Sequence, residues 1–383
     1  MRVLFASTGG SGHFNPLVPF IDACTARGDD VLVVAAPRLE ATLAAREHPY
    51  RISGELKEDE LRRARARVLE LSRDDGAALM IREVFGRLGV AAMLPALEEA
   101  CREWRPDLVL HEACEFASVV AAGRQGIPHA RVAVSAARFT GSMDELLRPV
   151  LAPYGPGIVE RLRTSTYLTR LPASLDPSPY AVTHRYHETP EPGVLPDWWG
   201  GAEDPLVYLT LGTEAGALAT ATGLYRAVLE AVSELPVRVL LTAGRGTDLS
   251  GLGPFPPNVH AEAWVPQADV LSRASLVVCH GGSGTAFGTL AAGVPLVCVP
   301  LFADQPTNAR LVTEAGAGLA VASTDVPVGG APVLDTEAIS RIRSAVELVL
   351  KEPSYRARAE NLGHETRATA TCGELIDTLD PRT

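Results

Sequence analysis

The chain has 383 residues, 46% of them hydrophobic and 21% charged, an ordinary globular balance without a disordered tract. That length is too great for one ordinary domain and suits two α/β domains of roughly 150–200 residues. A net charge of -11 argues against nucleic acid or an anionic membrane as partner, so an anionic ligand has to be held by local dipoles.

The first half opens with a predicted strand, Val3 to Ala6, then the loop Ser7-Thr8-Gly9-Gly10-Ser11-Gly12-His13 and a helix from about Asn15 to Arg27. Strand Val31 to Ala36 follows. Residues 57–103 carry charge at helical spacing and read as two helices broken near Asp74-Asp75-Gly76. Strand Asp107 to His111 leads into a helix from Glu115 to Arg124, then strand His129 to Val134; residues 136–182 read as irregular to helical. The proline- and glycine-rich stretch 187–205 interrupts the alternation and is the expected linker.

Strand Val207 to Leu211 then restarts the pattern and ends in a Gly212-Thr213 turn. A helix from Thr222 to Leu235 and strands Val237 to Ala243 and Val259 to Ala263 come next. The central stretch is the apolar run Leu276 to Cys279, followed by His280-Gly281-Gly282-Ser283-Gly284-Thr285, a helix to Ala292, and strand Pro295 to Pro300. A last strand is expected near Leu319 to Ala322, then a helix from Thr336 to Lys351. The segment Ser354 to Leu379 reads as helical, kinked near Cys372-Gly373. Each half therefore begins with a strand and a glycine-rich turn, the pattern of a Rossmann-like unit.

Strand, glycine-rich turn and helix can bind phosphate, because the glycines let backbone N–H groups and the positive helix end approach an anion. The same turn also serves close packing in many α/β proteins. His280, at the strand end, is placed to bond a diphosphate oxygen. His13, at the start of the first helix, is expected to be neutral at pH 7 and able to accept a proton. No Asp-x-Asp occurs, and His184-x-x-His187 has no carboxylate partner in sequence, so no metal site is expected. The longest uncharged stretch, Ala274 to Ala303, is broken by glycines, prolines and His280, so no membrane span is expected. The apolar opening is too short for a signal peptide, and the six cysteines are scattered; a reduced cytoplasmic protein is expected.

Ala263-Trp264-Val265-Pro266-Gln267, then His280-Gly281-Gly282, then Asp304-Gln305, in this order and spacing, resemble the donor-binding signature of family 1 glycosyltransferases, in particular those decorating bacterial natural products. The resemblance covers nearly the whole chain and is specific in residues 207–308 and around His13. It implies the GT-B fold, an α/β architecture of two facing Rossmann-like domains with a C-terminal helix crossing back to the first. The domains would be 1–190 for the acceptor, with a helix at about 363–383, and 206–362 for the donor. It implies a metal-independent, inverting transfer from a nucleotide-diphosphate sugar to a hydroxyl of an apolar small-molecule aglycone, with no cofactor. A homodimer is one option for assembly.

By the same resemblance Gly12-His13 matches the family's base. The dyad acid position falls at Glu112, where an Asp is usual, with Glu115 as rival. Trp264 would stack the nucleobase while Val265 and Gln267 read its edge. His280, the N–H groups from Gly282 to Thr285, and the turn at Thr210, Gly212 and Thr213 would hold the diphosphate, and Asp304 and Gln305 the sugar hydroxyls. Phe85, Phe116, Phe139 and Met143 are the candidate acceptor lining, or else ordinary core. Many relatives that use UDP-sugars carry an acidic residue eight positions after the motif histidine. Gly288 stands there, so dTDP is expected to be favoured over UDP. The alternatives are a same-fold epimerase, against which Trp-Pro-Gln argues, and a non-catalytic nucleotide-sugar-binding subunit, against which His13 and its carboxylate argue.

Overall fold

The structure is a computed structural model that describes residues 1–188, 204–212, 221–244, 249–321 and 335–382. The chain divides into two compact units, Met1–Glu188 with Thr369–Thr383, and Thr189–Ala368. The described strands, in chain order, are β1 (Arg2–Ser7), β2 (Asp30–Ala35), β3 (Tyr50–Ile52), β4 (Leu108–Glu112), β5 (His129–Val132), β6 (Thr166–Thr169) and β7 (Thr183–His187). They continue with β8 (Leu206–Thr210), β9 (Arg238–Thr242), β10 (Val259–Glu262), β11 (Leu276–Cys279), β12 (Leu296–Cys298), β13 (Gly318–Ala320) and β14 (Ala370–Thr371).

The first unit holds a parallel sheet in the order β14-β7-β6-β5-β4-β1-β2-β3. Both faces are covered, which is why its central strands read as unbroken apolar runs. Leu4, Ala6, Leu32, Val34 and Val109 pack against the helix Val90–Trp104 on one face. Val3, Phe5, Val31, Val33 and Leu110 pack on the other with Phe20, Ile21, Leu375 and Ile376. Successive side chains of one strand thus feed two cores. The second unit has the parallel order β10-β9-β8-β11-β12-β13.

In both sheets the chain starts in the middle, runs outward one way, and returns to run outward the other way. The reversal lies between β1 and β4 in the first unit and between β8 and β11 in the second. A crevice opens at the carboxyl ends of strands at such a reversal. Residues 7–14 and 112–115 of the first unit sit there, and residues 210–212 and 280–285 of the second.

Several expected elements differ. Residues 57–103 form helices Glu58–Val68, Arg73–Leu79 and Val90–Trp104, with a wide π-helical turn over Met80–Gly89. The break falls just before Arg73, slightly ahead of Asp74-Asp75-Gly76, because the Ser72 side chain accepts from Asp75 N–H and starts a new helix there. Strands β3, β6 and β7 were not expected. Near the C-terminus a helix, Pro353–Arg367, belongs to the second unit; the chain joins the first only from Thr369. The expected kink at Cys372-Gly373 is the start of a separate helix, Cys372–Thr378, closed by a reciprocal Thr371–Glu374 cap. Most of the expected linker, 189–203, lies outside the described residues. His187 Nδ1 meets the Thr369 carbonyl at 2.9 Å, and three-residue spacing on β7 turns His184 to the opposite face, so the two cannot share an ion.

Candidate active site

In the first unit, Ala6 of β1 pairs with His111 of β4, so the segments that follow these strands emerge side by side. His13 lies in the short helix Ser11–Phe14 and Glu112 ends β4. His13 Nδ1 stands 3.1 Å from Glu112 Oε2; the carboxylate is fully buried, while the imidazole is 24% exposed. Nδ1 has no aligned hydrogen bond, so this is an ion pair approached off the N–H axis. Catalytic contacts of this kind often align only when substrate is bound.

The carboxylate is itself held. Thr8 donates to Oε1 from Oγ1 at 2.6 Å and from its N–H at 3.2 Å, and Cys114 N–H donates to Oε2 at 2.6 Å. Burial pushes Glu112 up, but His13, Thr8 and Cys114 outweigh it and keep the carboxyl below its ordinary value. Burial pulls His13 down, yet the Glu112 charge and the Cys114 and Glu112 contacts win, leaving its pKa well above the ordinary value. This corrects the expectation of a neutral ring at pH 7. His13 is the third residue of a four-residue helix, where the dipole is weak, and a buried anion 3.1 Å away decides its charge.

Glu115 is not the partner of His13. Its two oxygens accept from Ala117 and Ser118 N–H at 2.9 and 3.0 Å, tying down the first turn of the helix Ala117–Gln125. A buried Arg131 supports the same turn: it donates to the Ala113 carbonyl at 3.1 Å and pairs with Asp144 at 3.0 Å. Thr8, Cys114 and Arg131 were missed from the sequence; only Thr8, in the glycine-rich loop, carried any signal.

In the second unit, Cys279 of β11 pairs with Thr210 of β8, which brings Gly212 beside His280. A Cβ on Gly212 would stand 2.8 Å from His280 Cε1, and one on Gly282 only 2.3 Å from Nε2. Burial lowers the His280 pKa to about 4, so the ring is neutral, and its buried Nδ1 has no partner. Gly281 turns the chain at φ +82. The helix Ser283–Ala291 starts from Gly282 without a side-chain cap, and a Cβ on Gly284 would meet nothing. Its first N–H groups are therefore open to an anion.

Asp304 and Gln305 serve this loop. Asp304 Oδ2 accepts from Ser283 Oγ at 2.6 Å and from Asn308 at 3.0 Å. Asn308, fully buried and also missed, donates to the Gly281 carbonyl at 2.9 Å as well. Gln305 Oε1 accepts from Leu301 and Phe302 N–H at 2.8 and 3.1 Å, leaving its amide nitrogen for a ligand. Thr210 Oγ1 accepts from Gly212 N–H at 3.2 Å. Thr285 is buried within the helix's first turn. Trp264 is 46% exposed and so is not core, Val265 beside it is buried, and Gln267 Nε2 is buried without a partner. Thr213 lies outside the described residues.

Of the candidate acceptor residues, Phe85 comes near the base: its ring centroid is 5.3 Å from that of His13. Phe139 is half-buried. Phe116 and Met143 are 1% and 2% exposed, packed with Val119 and Leu147, and are core, closed to a ligand. Among the described residues no helix is long and apolar enough to cross a membrane.

Residues 22–212 match the family described as Erythromycin biosynthesis protein CIII-like, N-terminal domain, and residues 226–380 match its C-terminal domain. The chain is 31% identical to the elloramycin glycosyltransferase of Streptomyces olivaceus, covering 96% of this chain and 94% of that one. It is 27% identical to the TDP-daunosamine transferase of Streptomyces peucetius, over 100% and 97% of the two chains. The crystal structure of the calicheamicin glycosyltransferase is similar with a TM-score of 0.78, at 24% identity over 99% and 98% of the chains. The chain belongs to the Erythromycin biosynthesis protein CIII-like family and is a GT-B, family 1 glycosyltransferase of the natural-product class.

Proposed function

We propose that this glycosyltransferase moves a sugar from a dTDP-sugar to a hydroxyl of an apolar aglycone, with inversion at the anomeric carbon and without a metal. The observation that carries this reading is the enclosure of Glu112 behind a partly exposed His13. Retention by double displacement needs a nucleophile that reaches the sugar carbon, and Glu112 is fully buried with both oxygens engaged. An inverting displacement needs only a base. His13 Nε2 takes the acceptor proton, the acceptor oxygen attacks the anomeric carbon, and the bond to the diphosphate breaks. Glu112 stabilises the imidazolium that forms.

The charge leaving on the diphosphate falls to the open N–H groups of Ser283, Gly284 and Thr285 and to the neutral ring of His280, with no metal in that role. Trp264 offers a face for the base, the Gln267 amide a donor for its edge, and Asp304 and Gln305 polar groups for the sugar. Phe85 and Phe139 serve the acceptor. For dTDP, the support is Gly288, which offers no partner to a ribose hydroxyl, together with the relative named for TDP-daunosamine. The expected setting is the cytoplasm. The test is a transfer assay with a panel of dTDP- and UDP-sugars in EDTA. Transfer in EDTA, with an axial donor linkage giving an equatorial product, is expected; retained configuration or a magnesium requirement overturns the reading.

A further inference from the structure

Among the described residues, one group of three side chains brings a ring nitrogen, a carboxylate oxygen and a thiol sulfur within 4.8 Å of one another: His13, Glu112 and Cys114. Two of these are the proposed base and its partner. The proposed transfer moves no proton through the Cys114 thiol, yet the residue is buried and its side chain lies against both. His13 Nδ1 is buried there without an aligned hydrogen bond. Thr8 donates to Glu112 Oε1, while Oε2, which accepts from Cys114 N–H at 2.6 Å, stands 3.1 Å from His13 Nδ1.

Imidazole, thiolate and carboxylate are together the ligand set of Zn²⁺, which takes three protein ligands and keeps a fourth place for water. Zinc bonds of about 2.0–2.3 Å in a tetrahedron place ligands roughly 3.3–3.7 Å apart. The His13–Glu112 separation of 3.1 Å is already near that spacing. The bonds from Thr8 orient the carboxylate as outer partners orient the ligands of a metal site.

We propose that His13, Glu112 and Cys114 form a Zn²⁺ site and that its occupation switches the transferase off. The metal takes Nδ1, Oε2 and the sulfur, and the Nδ1 proton and the thiol proton both leave to solvent. Nδ1 is where His13 must keep a proton, facing Glu112, while Nε2 accepts one from the acceptor. With zinc on Nδ1 that imidazolium cannot form, and the carboxylate that would stabilise it is spent on the metal. The site itself follows from the three side chains; the loss of activity rests on the reading of His13 as base.

Co²⁺ reports the site without reference to activity. Added to the purified protein, it should give the near-ultraviolet charge-transfer band of a cobalt–thiolate bond, and Zn²⁺ should displace it. Cys114→Ser and Cys114→Ala, which keep the backbone N–H to Glu112, should lose the band. Zn²⁺ should inhibit transfer reversibly by EDTA, and the inhibition constant, set against each variant's own zinc-free rate, should weaken at least tenfold without the sulfur. No band in the wild-type protein, or equal zinc inhibition in both variants, overturns the proposal. A band without inhibition keeps the site but overturns the assignment of His13 as base.

Discussion

His280 and Gly282 fit together because glycine has no side chain: a Cβ on Gly282 would stand 2.3 Å from His280 Nε2. The ring is buried and Gly212 also closes on its Cε1–Nε2 edge, so it cannot swing away cheaply. Gly282→Ala should displace the ring and the start of the helix Ser283–Ala291. Affinity for dTDP should fall by roughly tenfold or more, equal to about 1.4 kcal/mol, and His280→Ala should weaken binding similarly. Calorimetry with dTDP checks this; unchanged affinity in Gly282→Ala would mean that the ring does not face the diphosphate.

Removing the base tests the first unit. His13→Ala should lower turnover by roughly 10²–10⁴-fold with nucleotide affinity nearly unchanged. Glu112→Gln should lose less. Glu115→Gln, whose side chain bonds Ala117 and Ser118, should lose least, and full activity in His13→Ala sinks the assignment.

A pH profile separates the base from its partner. With Glu112 present the His13 pKa is held well above its ordinary value, so the ring is protonated at neutral pH and must lose that proton to act. The rate constant kcat/KM should therefore climb as pH rises past neutral. In Glu112→Gln the climb should move to lower pH, because the charge that raised the pKa is gone. A climb at the same pH in both proteins contradicts the pairing.

Gly288 bears on the nucleotide. A Cβ there would meet only Gln267 Nε2, at 4.0 Å, so tight packing does not require glycine. The wild-type protein should prefer dTDP over UDP by roughly tenfold, about 1.4 kcal/mol, since a ribose hydroxyl finds no partner at this position. Gly288→Asp should narrow that gap. Competition binding decides, and equal or tighter UDP binding by the wild-type protein defeats the preference.

Glu115 gives a stability signal independent of activity. Burial raises its pKa to about 7. The folded chain thus keeps a proton that the unfolded chain releases above the ordinary carboxylate range, about 4.3. Its stabilisation is complete below that value and is lost as pH rises to about 7, at up to about 1.4 kcal/mol per pH unit. Glu115→Gln lacks this dependence, so its unfolding midpoint should gain on the wild type across that window. A constant difference between the two refutes the buried, proton-holding carboxyl.

The glycine-rich loop of the second unit was legible in the sequence because its information is local: strand, glycines and helix follow one another from Leu276 to Ala291. The first unit was harder to read. Whether Glu112 or Glu115 faces His13 depends on where β4 ends and the next helix begins, and the charge on His13 depends on a carboxylate far along the chain. Strands β6 and β7 escaped notice because Thr166, Thr183, His184 and Arg185 give them a polar character. Phe116 and Met143 stayed open between acceptor lining and core because an apolar residue does not declare which side of a helix meets the core. Asn308 could have been found: it lies one helical turn beyond Asp304, spaced to reach the same loop.

The short β14 pairs with β7, and the helix behind it supplies Cys372, Leu375 and Ile376 to the core of the first unit. The chain therefore leaves that unit after Glu188 and returns at Thr369. In hybrid enzymes, the second half is a cassette that has to be exchanged with two cuts. A single splice in the linker would give the first half another protein's tail, and the slot beside β7 would be filled by foreign residues. Hybrids that carry residues 369–383 from the same parent as residues 1–188 should express and refold better than single-splice ones.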